Sequence, residues 1–212
     1  MKPYIRQLLI TTACAFGTLA VAASQDELIR PIQDQWAEIK YNKAIQAQAD
    51  LYHALAQQAH LLAESHPAQA EPLIWEGIVL SSEAGAKGGL GGLTLAKEAK
   101  LRFDQAIALN ATALGGSAYT SLATLYAKVP GWPLGFGDKV KAEGLFKEAL
   151  TIFPRDMDAN FFYGDFLSEQ GRKAEAQKYL NVALKADARP GRELADLGRR
   201  HEVEALLKKL IL

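Results

Sequence analysis

The chain has 212 residues, and its 24 basic and 24 acidic side chains give a formal net charge of zero. This balance leaves no basic surplus for nucleic acid or anionic lipid, so we expect no nucleic-acid partner. Cys14 is the single cysteine, which excludes an internal disulfide. The length is suited to one domain.

The first residues predict a secretory signal peptide over residues 1–22. Two basic residues precede an apolar run, Leu8–Ala22, and small residues follow it. The run is shorter than the roughly 20 residues that span a bilayer, which favours cleavage near Ala22 or Ala23 over retention as an anchor. Cys14 lies inside the run, so we expect the exported chain to contain no cysteine.

The rest of the chain repeats a helical pattern with alanine, a large residue four positions later and alanine three positions after that. The three copies are Ala99–Phe103–Ala106, Ala142–Phe146–Ala149 and Ala176–Leu180–Ala183, and each follows a helix with a small residue, namely Gly77, Ala123 and Gly164. This is the tetratricopeptide pattern, in which small residues let paired helices approach and the large residue fills the gap. The alternative is an irregular helical bundle with chance alanines.

The sequence therefore predicts an all-α fold, a tetratricopeptide-like superhelix occupying residues 23–212 as a single domain. We expect about four degenerate helix pairs and a C-terminal capping helix. The end of the chain predicts a short helix followed by a terminal helix, with Val203, Leu206, Leu207 and Leu210 on one side. A partner-binding or membrane-surface role for the terminal helix is the alternative, although two adjacent lysines alone attract lipid weakly.

Two of the predicted pairs have long connections. The small residue and the following alanine are 12 residues apart in the last unit, but 19 and 22 apart in the two units before it. We therefore predict long loops at residues 86–94 and 129–139, on the same edge of the stack. Insertions in repeat arrays tend to cluster on one face, often the binding face.

Three stretches of the chain carry a family resemblance: WEGIVLSSEAGAKGGLGGLTLAKEAK, SAYTSLATLYAKVPGWPLGFGD and FFYGDFLSEQG. They resemble periplasmic repeat proteins related to the T component (TatT) of TRAP-type transporter systems. The resemblance implies a periplasmic location, a central or concave apolar cavity, a transport-system protein as partner and a homo-oligomer, with trimers among the relatives. Such relatives are often lipoproteins, whereas this chain lacks a lipobox.

The sequence contains no arrangement typical of an enzyme. The glycine-rich stretch GGLGG lacks the Gly-Lys-Ser/Thr ending of a phosphate-binding loop, and no strand precedes it. His53 and His60 are seven positions apart, whereas a metal pair on one helix prefers three or four. We therefore interpret the histidines as polar-face residues and predict no catalytic residue, no metal site and no cofactor.

Binding is the function that remains. The repeat phase places these positions in the groove: Glu71, Ile74, Ile78, Ser81, Ser117, Thr120, Thr124, Ala127, Asp158, Phe161, Asp165 and Ser168. This surface is neutral to acidic with apolar members, so it is suited to an apolar small ligand or an apolar partner.

The stretch VPGWPLGFGD places two aromatic residues, Trp132 and Phe136, in the second predicted loop. Exposed aromatic side chains are costly on a monomer unless something covers them. They either plug their own helix pair, form a subunit interface or close over a ligand cavity. The candidate ligand-binding residues are Trp75, Tyr119, Tyr126, Trp132, Phe136, Phe161 and Tyr163.

Two functions are open at this point. The first is a non-catalytic periplasmic protein that holds an apolar or amphipathic small molecule, such as a lipid, sterol or organic acid, beside a transport system. The second is a protein–protein scaffold that uses the groove and the inserted loops for partner docking or homo-oligomerisation.

Overall fold

The computed structural model describes residues 17–211, with side chains described from residue 27. These residues form nine helices: α1 (Gly17–Asn42), α2 (Ile45–Ser65), α3 (Ala70–Lys87), α4 (Gly89–Asn110), α5 (Ser117–Lys128), α6 (Lys139–Ile152), α7 (Met157–Glu169), α8 (Lys173–Leu184) and α9 (Glu193–Ile211). A short 3-10 turn, Ala113–Gly116, precedes α5. Residues 1–16 of the predicted signal peptide, including Cys14, lie outside the described residues.

The helices form four consecutive pairs, α1–α2, α3–α4, α5–α6 and α7–α8, followed by α9. The first helices of successive pairs contact one another in order, from α1 to α3, α5 and α7. They therefore form the inner layer of the array, and the second helices form the outer layer. The predicted all-α fold with tetratricopeptide-like helix pairs is confirmed.

Close contact within the last three pairs depends on small residues opposite large ones. A Cβ atom at Gly77 would lie 2.5 Å from the Phe103 ring, and one at Gly164 would lie 2.7 Å from Leu180 Cγ. In the middle pair, Ala123 and Phe146 are both buried. Because the large side chain fills the space that a Cβ would need, these positions set the distance between the paired helices.

The predicted loop at residues 86–94 is wrong, because α3 and α4 continue through this stretch with only Gly88 between them. Gly88 and Gly89 have φ values of +64° and +58°, which glycine adopts without strain. A Cβ at Gly92 would lie 2.6 Å from the carbonyl oxygen of Ala84. The glycines therefore permit a tight turn between two long helices.

The C-terminal segment is one continuous helix, α9, and not the predicted short helix followed by a terminal helix. It packs against α7 and α8, as a cap of the last pair should, and it also contacts α1. At the α1 contact, a Cβ at Gly198 would lie 2.3 Å from the Tyr41 ring. The last helix therefore touches the first, and the array closes on itself.

A pair of glycines in α3 tests the packing rule. We expect Gly77→Ala to lower the melting temperature clearly, because its new methyl group overlaps the Phe103 ring. Gly85→Ala on the same helix is the matched control, since a Cβ there meets nothing within 4 Å. The control should be neutral or raise stability by up to about 1 kcal/mol, because alanine is the better helix former. Equal effects in thermal melts of the two variants would contradict the rule.

Candidate functional site

The second predicted loop is present as residues 129–138, between α5 and α6. It ends one residue earlier than predicted because Asp138 caps α6, where its carboxylate accepts hydrogen bonds from the backbone N–H groups of Val140 and Lys141 at 2.9 and 3.0 Å. The Asp138 N–H donates to the Tyr126 carbonyl, and the Gly137 N–H donates to the Pro130 carbonyl, both at 2.9 Å. Backbone hydrogen bonds therefore hold the base of the loop in place.

The two aromatic residues of this loop have different surroundings. The Phe136 ring meets the buried Tyr126 edge-on, with 5.4 Å between ring centroids, so it anchors the loop to its own repeat. Trp132 is 90 % exposed, so the idea that it plugs its own helix pair is wrong. The braced loop holds its indole out from the array.

The other candidate ligand-binding residues do not line one cavity with this loop. Trp75 lies in the core edge-on to Trp36, with ring centroids 6.0 Å apart. Tyr163 stacks on Phe146, 5.5 Å away, and is equally buried. Tyr119 is half-buried on α5. The residues belong to separate helix contacts, and their role in binding a ligand stays a prediction.

Two predicted groove positions contact α9. The carboxylate of Asp158 accepts hydrogen bonds from Arg189 and from the Arg199 Nε, each at 2.7 Å. The Arg199 guanidinium lies 4.4 Å from the ring centroid of Phe161, and the Arg199 side chain is buried. Arg189 also binds Asp196 of α9 at 2.7 Å. The first turns of the inner face of α7 are thus covered by α9 and the segment before it.

The charge of Asp158 is stabilised by this contact. Burial alone would raise the pKa of its carboxyl group, but Arg189 and Arg199 outweigh burial and hold the pKa well below its ordinary range. Its ion pairs therefore contribute stability at neutral pH, and the contribution is lost as the pH falls through the low folded-state pKa. For the neighbouring Asp156, burial and the Asp158 charge raise the pKa to about 6.

A cleft of about 740 Å³ opens where α1, α2 and the start of α9 meet. Its apolar lining consists of Ala37, Ile39, Leu51, Ala54, Leu55, Leu194 and Ala195, and its charged lining consists of Asp34, Glu38, Lys43, Arg192 and Glu193. None of the seven candidate residues lines it. The Arg192 guanidinium lies 5.1 Å from the centroid of the Trp75 ring, within cation–π distance.

Arg192 is the unusual side chain of this cleft. Burial and the nearby Arg189 lower the pKa of its guanidinium, while Asp158, Asp196 and Asp34 act in the opposite direction. Among the described residues its guanidinium makes no ion pair, and its Nε is buried without a hydrogen-bond partner. Because Arg192 lines the cleft, its other guanidinium N–H groups can donate to an acceptor there.

Sequence reasoning missed this cleft because its walls are far apart along the chain. It also missed the partners of the histidines, which are hydrogen-bonded to buried carboxylates of α3: His53 to Glu83 at 3.0 Å and His60 to Glu76 at 2.9 Å. The acidic residues Glu76 and Glu83 are seven positions apart, as the histidines are, and this matched spacing was the available signal. The described residues contain no group of three or more metal-ligating side chains.

A family model described as tetratricopeptide repeat matches residues 134–210, which span α6 to α9. This match and the helix pairs agree on a tetratricopeptide-like fold. Proteins with such repeats commonly bind other proteins and are typically non-catalytic scaffolds. No curated protein matches the chain. In the described part of the chain, no helix is long and apolar enough to cross a membrane.

The contact between α7 and α9 can be tested with two aspartates of α7. We expect Asp158→Asn to lower the free energy of unfolding by roughly 1–3 kcal/mol, less than the 3–5 of a fully buried pair because Asp158 is partly exposed. Asp165→Asn is the control, since Asp165 binds only Lys128 at the surface, and it should cost at most about 1 kcal/mol. Urea melts at neutral pH measure both. Equal losses would mean that α9 is not held by Asp158.

Proposed function

We propose that the protein is a non-catalytic interaction scaffold that binds an apolar segment of a protein partner in the cleft between α1, α2 and α9. The observation that carries the proposal is the cleft itself, in which an apolar floor meets a rim of both charges. Small-molecule binding sites are concave and largely apolar, with a few polar groups that fix the orientation of the ligand, and the cleft has the same features. The first turns of the inner face of α7 are less available, because α9 and the segment before it already contact them.

A peptide segment fits the chemistry of this cleft. Leu51, Ala54 and Leu55 would bury apolar side chains of the segment. Arg192 would donate to a backbone carbonyl or a carboxylate of the segment, because it makes no ion pair within the described residues. Family behaviour points the same way, since tetratricopeptide repeats generally mediate protein–protein interaction.

A small molecule is the second candidate for the same cleft. Its volume of about 740 Å³ lies within the roughly 300–1,000 Å³ of typical small-molecule sites. An amphipathic molecule with a carboxylate would place its apolar part on the floor and its charge at Arg192. We propose that a ligand of the predicted apolar or amphipathic class would bind in this orientation.

We further propose a periplasmic location and a transport-system protein as partner. The apolar N-terminal run and the resemblance to TatT-like proteins support both. A homo-oligomer remains the other assembly that the resemblance suggests. No enzymatic role is proposed, because tetratricopeptide-repeat proteins are typically non-catalytic.

Site-specific crosslinking tests the proposed binding in the cleft. A photoreactive amino acid at Leu51, on the cleft wall, should give a covalent adduct of defined mass in cells that express the full chain. The same group at Leu101, which is exposed on α4 outside the cleft, is the position control. Adducts at both positions, or at neither, would contradict the proposal.

A blocking variant makes this test specific. Ala54→Trp fills the cleft and should reduce the Leu51 adduct at least about tenfold, which corresponds to about 1.4 kcal/mol. Ala108→Trp adds the same ring to an exposed position of α4 and should leave the adduct unchanged. Both variants should melt like the wild type, because surface changes are usually within about 0.5 kcal/mol. Native mass spectrometry of the wild type separates the two ligand classes by the mass of what is retained.

A further inference from the structure

One edge of the array, which we call the turn edge, carries exposed apolar side chains. It consists of the connections within the four helix pairs and of the C-terminal end of α9, which returns along α8 to this side. Its exposed apolar residues, with their exposed fractions, are Ile45 (73 %), Leu90 (84 %), Trp132 (90 %), Leu134 (73 %), Val140 (85 %) and Ile211 (78 %). These are the six most exposed large apolar side chains of the described residues, whereas Leu109, Phe153 and Leu197 at the opposite edge are about half exposed. Exposed apolar side chains concentrated at one edge are typical of an interaction surface.

The turn edge is also rich in lysine. Lysines lie in or beside its turns: Lys40, Lys43, Lys87, Lys128, Lys139, Lys141, Lys173, Lys208 and Lys209. Of these, Lys87, Lys139, Lys173, Lys208 and Lys209 are exposed and make no ion pair with any other described residue. Their charges are therefore available to an external partner.

The acidic residues beside these turns bind other parts of the chain. Asp138 caps α6, Glu169 and Asp165 both bind Lys128 at 2.5 and 2.7 Å, Glu38 binds Lys43 at 2.8 Å and Glu175 binds Arg172 at 2.7 Å. The five unpaired lysines lie outside these contacts. The turn edge therefore has cationic sites that the formal net charge of zero does not reveal.

The combination of apolar tips and free lysines is typical of a protein that rests on a membrane surface. Tryptophan prefers the boundary between lipid headgroups and acyl chains, where its ring is apolar and its N–H is hydrated. Lysines near an anionic bilayer each contribute about 1 kcal/mol of attraction. We propose that the turn edge docks on an anionic lipid bilayer, with Trp132 and Leu134 inserted among the headgroups and the lysines facing the lipid phosphates.

The shape of the edge favours a bilayer over a protein partner. The apolar side chains project from separate turn tips, and loop 129–138 holds Trp132 away from its own repeat through the braced contacts of Phe136 and Asp138. A fluid headgroup layer accepts each tip wherever it falls, whereas a protein partner would need a matching pocket for each. The lysines between the tips add an attraction without fixed geometry. The turn edge and the cleft share Lys43, but neither the six exposed apolar residues nor the five unpaired lysines line the cleft, so different variants test the two proposals.

Trp132 supplies its own spectroscopic signal. The chain has three tryptophans, and Trp36 and Trp75 are buried, so a change in emission on binding reports Trp132. Vesicles of phosphatidylglycerol and phosphatidylcholine should shift the emission of the full chain to the blue. Pure phosphatidylcholine should give little shift, and high salt should weaken the effect by screening. Trp132→Phe should abolish the shift while co-sedimentation with anionic vesicles persists.

Charge-reversal variants test the lysines. Lys87→Glu/Lys139→Glu should weaken co-sedimentation with the anionic vesicles at least about 25-fold, since each lysine contributes roughly fivefold. Arg155→Glu/Lys185→Glu makes the same charge change at exposed positions of the opposite edge and should have little effect. Circular dichroism confirms that both variants are folded.

Three results would overturn the proposal. Emission that anionic vesicles leave unchanged would mean that Trp132 does not enter lipid. Equal weakening by the two charge-reversal variants would mean that binding follows net charge and not the turn edge. A blue shift that grows with protein concentration in the absence of vesicles would identify a second copy of the chain as the occupant. Ala54→Trp, in the cleft, should bind vesicles like the wild type.

Discussion

The distance between the two helices of a pair is the constraint on which the rest of the structure depends. A glycine on the first helix faces a large side chain on the second, as Gly77 faces Phe103 and Gly164 faces Leu180. In these two pairs the contacts leave no room for a Cβ atom, so each has essentially one close-packed arrangement. Pairs of fixed shape can then stack in order through their first helices, which produces the inner layer of α1, α3, α5 and α7.

Closure of the array depends on a different kind of interaction. The contact of α9 with α7 includes the ion pairs of Asp158 with Arg189 and Arg199, while Tyr41 donates a hydrogen bond to Glu202 where α9 meets α1. Such directional contacts select one orientation of α9 among those that apolar packing alone allows. The contacts of α9 cover Asp158 and Phe161 in the first turns of α7, and the cleft and the turn edge are the two surfaces that we propose for partners.

These two surfaces differ in chemistry, and the difference suggests a division of labour. The cleft has an apolar floor and charges of both signs, which is suited to a defined segment or molecule. The turn edge has projecting apolar tips and unpaired lysines, which is suited to an extended anionic surface. A scaffold attached to a bilayer by its turn edge would keep the cleft open toward a partner, so the two proposed activities are compatible in one molecule.

The sequence by itself determined the repeat, because the spacing of small and large residues is local to each helix pair and follows from steric contact. It also predicted the loop at residues 129–139, where proline and glycine exclude a helix, and the structure ends this loop one residue earlier. The loop predicted at residues 86–94 was wrong: glycine is about 1 kcal/mol less favourable than alanine in a helix, yet these glycines lie in or beside α4, and Gly92 approaches Ala84 too closely for a larger residue. The tertiary structure alone decided the exposure of Trp132, the contact of α9 with α1, and the cleft. The α9 contact and the cleft join residues more than a hundred positions apart, and no periodic pattern records which distant surfaces meet.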